Sequence, residues 1–150
     1  MKRIILQLTA TLLLGACTQN QSDIDNQAQK TANEFLLAYF NFNFKKASKL
    51  STPESEKWLQ YAASNVTQAA VDLYNAQELS TSTEIDDFYW TDDSTATVCV
   101  KVNGFVADDS IKPTPCITDE GLFSVTVVRR NSKMLVRMAG PLRSEKRSHD

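Results

Sequence analysis

Carboxylates give this chain its widest scope for chemistry. They include three doublets, Asp86-Asp87, Asp92-Asp93 and Asp108-Asp109. A carboxylate becomes a general base near neutral pH when an apolar pocket raises its pKa. Asp92-Asp93 and Asp108-Asp109 fall at expected turns, where Asp is favoured for backbone reasons. Asp87 is different, because strand alternation can set it on the core face with Ile85 and Tyr89, making it the candidate base of a pocket enzyme. The register decides: a regular hairpin through Asp92-Asp93 turns Tyr89 inward and Phe88 and Trp90 outward, and one bulge reverses this. Trp58, Tyr61, Phe88, Tyr89 and Trp90 can line a concave pocket between helix and sheet, or be ordinary core. Facing outward, Phe88 and Trp90 would instead form an apolar patch for a partner.

Other chemistries have little to stand on. The single histidine, His149, is the penultimate residue of a charged tail, with nothing to hold it as a general base. One histidine and no Cys-x-x-Cys argue against a transition-metal site, and no cofactor is expected. Four glycines in 150 residues leave no Gly-rich phosphate loop and no Gly-x-Ser-x-Gly.

The first 17 residues read as a signal. Lys2 and Arg3 precede a short, mostly apolar run from Ile4 to Leu14, followed by small Gly15 and Ala16 and then Cys17. Positive, apolar, then small is the layout of a secretory signal peptide, and the run is too short to span a bilayer. Leu14-Gly15-Ala16-Cys17 resembles the lipobox of bacterial lipoproteins. That resemblance implies cleavage before Cys17 and acylation of its thiol and amino group, so that membrane lipid is the first expected partner. More than one acyl chain anchors stably. Thr18 stands where many inner-membrane lipoproteins carry Asp, which by the same resemblance favours the outer membrane of the bacterial envelope.

Without residues 1–16 the chain carries fourteen basic and eighteen acidic residues, a net charge of −4. Seven of the basic ones lie in 129–150, with only two acidic residues, while 17–128 is acidic. An acidic exported body argues against nucleic acid. Residues 17–27 are polar apart from Ile24 and, behind the anchor, read as a flexible tether. One domain is expected over 28–141, and 142–150, with Arg143, Lys146 and Arg147, reads as a basic tail.

Within the domain, Ala28, Ala32, Phe35, Leu36 and Tyr39 share one helical face. A short helix fits Phe44 to Leu50, with Ala47 and Leu50 inward. Thr52-Pro53-Glu54 restarts a third helix, Thr52 as cap and Pro53 at its first position, and Val66 to Gln77 is a further helical stretch. The period then changes to two. Strands are expected over 84–91, 95–103, 122–130 and 133–139, with Ala96, Val98, Val100 and Val102 on one face. A tight turn at Asn131-Ser132 sets Val127 opposite Val136.

Helices first and an antiparallel meander second predict an α+β domain, helices packed on one face of a sheet of about four strands. The order resembles the nuclear-transport-factor-like (cystatin-like) superfamily, and within it small Bacteroidetes lipoproteins without an assigned activity. The residues carrying this are Phe35-Leu36-Leu37-Ala38, Phe44-Lys45-Lys46-Ala47 and Thr52-Pro53-Glu54. The resemblance implies a curved sheet, and related folds include isomerases and hydratases that use a pocket aspartate.

Export permits disulfides, and Cys99 lies on the polar face of its strand. If Cys99 opposes Cys116, Val98 falls opposite Ile117, and Phe123, Val125 and Val127 join the Val98/Val100 face. The bridge and the apolar pattern then agree, a bond of about 3 kcal/mol in the chain-entropy estimate. The alternative is two reduced cysteines, one of them buried. The leading functional reading is a lipid-anchored, non-enzymatic domain that binds an envelope protein or a small apolar ligand. A pocket enzyme using Asp87 and a structural subunit of an envelope assembly are the alternatives.

Overall fold

The computed structural model describes residues 16–77, 80–107 and 114–145, with side chains described from residue 20 onward. Asp108-Asp109, Lys146, Arg147, His149 and residues 1–15 of the signal lie outside the described residues. Four helices come first: α1 (Ala16–Phe40), α2 (Phe44–Lys49), α3 (Glu56–Asn65) and α4 (Gln68–Ala76), with a 3-10 turn at Pro53–Ser55. Four strands follow, β1 (Ser82–Asp92), β2 (Thr95–Ala107), β3 (Cys116–Arg130) and β4 (Lys133–Arg137), forming one antiparallel sheet in the order β1-β2-β3-β4.

The helical periodicity identifies the face of α1 that packs on the sheet. Ala28, Ala32, Phe35 and Leu36 are fully buried, and the two alanines leave room for the helix to lie close to the strands. Phe42 ends the helix. It sits at φ 56°, with its N–H on the Tyr39 carbonyl and the Asn43 N–H on the Ala38 carbonyl. This is a Schellman close with phenylalanine where glycine is usual, so a bulky side chain bears left-handed backbone strain. The Phe42 ring is held 5.5 Å from that of Tyr74. Asn43 then caps α2, its Oδ1 accepting from the Lys46 N–H at 3.1 Å, and Thr67 caps α4 through the Ala70 N–H. Thr52 stands before Pro53 as expected, but its hydroxyl meets Ser55 Oγ at 2.9 Å instead of a backbone N–H.

Inward strand residues meet α1 in one core: Val98, Val100, Val102, Phe123, Val125, Val127 and Val136. At the centre the rings of Phe40, Phe105 and Phe123 lie 4.6 to 5.6 Å apart. Gly121 makes that close approach feasible. A Cβ there would stand 2.8 Å from the Phe123 ring and 3.0 Å from that of Phe105. The free edge of β4 is covered by the chain ahead of α3, where the Thr52 N–H bonds the Val136 carbonyl and the Val136 N–H bonds the Leu50 carbonyl. Such cover protects a short edge strand from foreign pairing. Ser55, fully buried, fixes the join by accepting from the Met138 N–H at 2.9 Å.

Val127 pairs with Val136 across the Asn131-Ser132 turn, as expected, and both turn residues have positive φ, the signature of a two-residue hairpin loop. Three expectations are corrected. Residues 18–27 are not a loose tether but part of α1. Ile24 packs on the core and the Asp25 carboxylate accepts from the Trp90 indole at 2.7 Å, tertiary contacts that outweigh the polar composition. The chain beyond 141 also stays on the domain as far as Glu145, whose N–H bonds the Leu122 carbonyl.

The disulfide is the third correction. Cys99 pairs with Ser124, and Cys116 pairs with Ala107 eight residues further along β2. At ~3.3 Å per residue that separation is about 26 Å, against a bridging limit of about 7 Å between Cα atoms. Both thiols are free, Cys99 half-buried beside Ser124 Oγ at 3.2 Å and Cys116 exposed. The apolar face is the expected one, but the register differs. Val98 faces Val125 and Val100 faces Phe123, an even-numbered shift that leaves every side chain on the same side. Hydrophobic pattern cannot detect such a shift.

Candidate functional site

The bulge in β1 decides where the candidate chemistry goes. Ile85 pairs with Val100, yet Asp87 pairs with Cys99, so Asp86 is the extra residue. Beyond it the faces exchange. Phe88 and Trp90 turn inward opposite Val98 and Ala96, and Tyr89 turns outward with half its surface exposed. Asp87 follows Tyr89 to the outer face, where it is exposed and its Oδ1 accepts from the Phe88 N–H at 2.8 Å. The expectation of Asp87 beside Ile85 on the core face is thereby corrected, because the alternation was carried through a residue that interrupts it. No apolar pocket surrounds this carboxylate, so the reason to propose it as a base is gone.

The five candidate aromatics do not converge. Phe88 and Trp90 pack edge to face, ring centroids 5.9 Å apart, against the core. Trp58 is half-buried on α3 with the Lys57 ammonium 5.0 Å from its ring centroid. Tyr61 is 53% exposed and Tyr89 51%, on different elements, so they make no shared pocket. Tyr39 is largely buried among Phe35, Phe40 and Phe44, and burial pushes its phenol up to about 12, leaving it neutral near pH 7.

Open space lies instead at one end of the domain. A cleft of about 610 Å³ is lined by Gln21, Ile24, Trp90, Thr91, Asp92, Asp93 and Arg129. A second, of about 380 Å³, adjoins it through Ile24 and Arg129 and reaches Gln27, Asn131, Ser132 and Met134. Both lie where the start of α1 meets the β1–β2 and β3–β4 turns. Asp25 organises the rim, its Oδ1 accepting from both Gln21 Nε2 at 2.9 Å and Trp90 Nε1. Asp92 closes its turn by accepting from the Ser94 N–H and hydroxyl, bonds that lower its pKa, the backbone one foremost. Arg129 reaches the Asp93 carbonyl at 3.3 Å. The clefts are polar surface depressions with hydrogen-bonding capacity, not a dry site that could activate a nucleophile.

Sequence reasoning missed this rim because it placed Gln21, Ile24 and Asp25 in a tether. Ile24, four residues ahead of Ala28 on its helical face, was the available signal. Cys17 lies in the first turn of α1, and its side chain lies outside the described ones. Among the described residues no group of three His, Cys, Asp or Glu is arranged to hold a metal ion, and no helix is long and apolar enough to cross a membrane.

No protein-family model matches the chain, and no curated protein matches it in sequence. Solved structures do resemble it. A variant of Rv3472, a function-unknown protein from Mycobacterium tuberculosis, superposes with a TM-score of 0.51 at 13% identity, covering 89% of this chain and 78% of that one. An Ntf2-like protein involved in plasmid conjugation gives a TM-score of 0.39 at 15% identity, covering 82% of this chain and half of the other. What the chain shares with Rv3472 is a fold alone: α+β, here with the helices first and then a four-stranded antiparallel sheet.

Proposed function

We propose that this chain is a lipid-anchored protein of the bacterial envelope, acylated at Cys17, whose domain works by binding another envelope protein at its surface. One observation carries the binding half. The space between helix and sheet, where a pocket would sit, is occupied by the rings of Phe40, Phe105 and Phe123, each less than a tenth exposed. A filled centre removes the room for a small apolar ligand there and, with Asp87 on the outer face, the basis for an isomerase- or hydratase-like site. The anchoring half is supported by Leu14-Gly15-Ala16-Cys17 behind a positive and apolar leader, and Thr18 favours the outer membrane.

Metabolic labelling with an alkynyl fatty acid tests the anchor. The natural chain takes up label and partitions into detergent, Cys17→Ser does neither, and intact mass gives a mature form that starts at Cys17. An unprocessed Met1 without added hydrocarbon rejects the reading. For the binding half, Asp87→Asn preserves cellular function; loss of function in a normally folded Asp87→Asn protein would return the enzyme reading.

A further inference from the structure

We infer that the anchored domain is held in one orientation, with the β1–β2 and β3–β4 turns against the lipid headgroups and the opposite end of the sheet facing away from the membrane. The inference rests on acylation at Cys17 and follows from how little chain separates that residue from the folded rim. Gln21 already lines the cleft with Asp93 and Arg129, and Ile24 is packed on the core. Four residues span at most about 14 Å even when fully extended. As the first turn of α1 they span about 6 Å. A free tether reaching to residue 27 would instead allow about 35 Å, enough for the domain to tumble.

That short leash comes out at the end where both turns lie, because the clefts beside Gln21 and Ile24 are walled by Asp93 on one turn and by Asn131 and Ser132 on the other. The surface there suits a headgroup layer. It offers donors and acceptors of both charges, Asp93 and Arg129 among them, and none of the described residues that line the two clefts is a large exposed apolar side chain. The far end is well removed. β2 runs thirteen residues from Thr95 to Ala107, about 40 Å, and exposed Cys116 pairs with Ala107 at its end. A partner therefore meets the sheet's outer face or its far end first.

Nitroxide labels report the orientation in the acylated full chain, reconstituted into phosphatidylethanolamine/phosphatidylglycerol vesicles containing a nickel-chelating lipid. One label goes on the natural Cys116 in Cys99→Ser, the other on Ser132→Cys in Cys99→Ser/Cys116→Ser. The expected result is strong relaxation by headgroup nickel at position 132 and none above background at 116. Inserting ten Gly/Ser residues between Thr18 and Gln19 should abolish the difference while the protein still floats with vesicles. Equal relaxation at both positions, stronger relaxation at 116, or a difference that survives the insertion overturns the orientation. A chain that neither floats nor carries acyl mass overturns the proposed anchoring itself, a separate and earlier readout.

Discussion

The centre of the domain and its rim solve opposite problems with the same helix. At the centre, α1 contributes Phe35, Leu36 and Phe40 to an apolar contact that depends on shape. At the rim, about three to four turns ahead of Phe35, it contributes Gln21 and Asp25 to a hydrogen-bonded contact that depends on geometry. Burial of apolar area stabilises without regard to direction, whereas a polar contact contributes only when donor and acceptor are aligned. The centre should therefore tolerate little loss of volume, and the rim should be the first part to open.

The largest expected effect is at the centre. Phe40→Ala removes the ring that touches both Phe105 and Phe123 and should cost about 3–5 kcal/mol in denaturant unfolding. A cost under about 1 kcal/mol would mean that the centre is loosely packed and that space for a ligand exists after all. Ser55→Ala comes next. It leaves the buried Met138 N–H without its acceptor and should cost about 1–3 kcal/mol, with Ser55→Thr unable to substitute fully in so closed a site.

At the rim, Trp90→Phe keeps an inward aromatic ring but loses the N–H bonded to Asp25 together with part of the indole's packing on the core. The expected cost is about 1.5–3 kcal/mol, since the lost bond has a carboxylate acceptor. Hydrogen exchange should locate it: faster exchange over 20–27 with 35–40 unchanged. Uniform acceleration along α1 would show that helix and core open as one unit and would erase the distinction between the two regions.

The same contrast explains which features the sequence records. Ala28, Ala32, Phe35 and Leu36 announce their face because burial selects residue type at every turn. The Val98/Val100 face is equally visible, since alternation records which side is dry. Register is not recorded, so Cys99 opposite Ser124 was unreadable. The bulge at Asp86 was unreadable too, because an acidic residue in a strand fits a bulge and a regular outward position equally well. The Asp25–Trp90 bond joins residues 65 apart, and nothing local distinguishes such an Asp from a solvated one. Contacts made by pattern are legible, and contacts made by alignment are not.

The smallest expected effect concerns an exposed pair tying the α3 approach to the sheet. Arg130 Nη1 donates to both Glu54 oxygens at 2.8 and 2.9 Å. That bond foremost, then the Glu54 backbone amide and the Thr52 hydroxyl, lowers the Glu54 carboxyl from 4.5 to about 2. A depressed folded-state value means that the unfolded chain binds the proton first as acid is added. The pair's stabilisation is thus complete above pH 4.5 and is lost as pH falls from 4.5 towards 2. Exposure to solvent screens it, so the slope should be shallow and should flatten further in high salt. Stability measured against pH for the natural chain and Glu54→Gln should converge at the acid end of that window and separate slightly above it. Curves that separate at the acid end would assign the bond to some other group, and a separation that ignores salt would mean the pair is less open to water than its surroundings indicate.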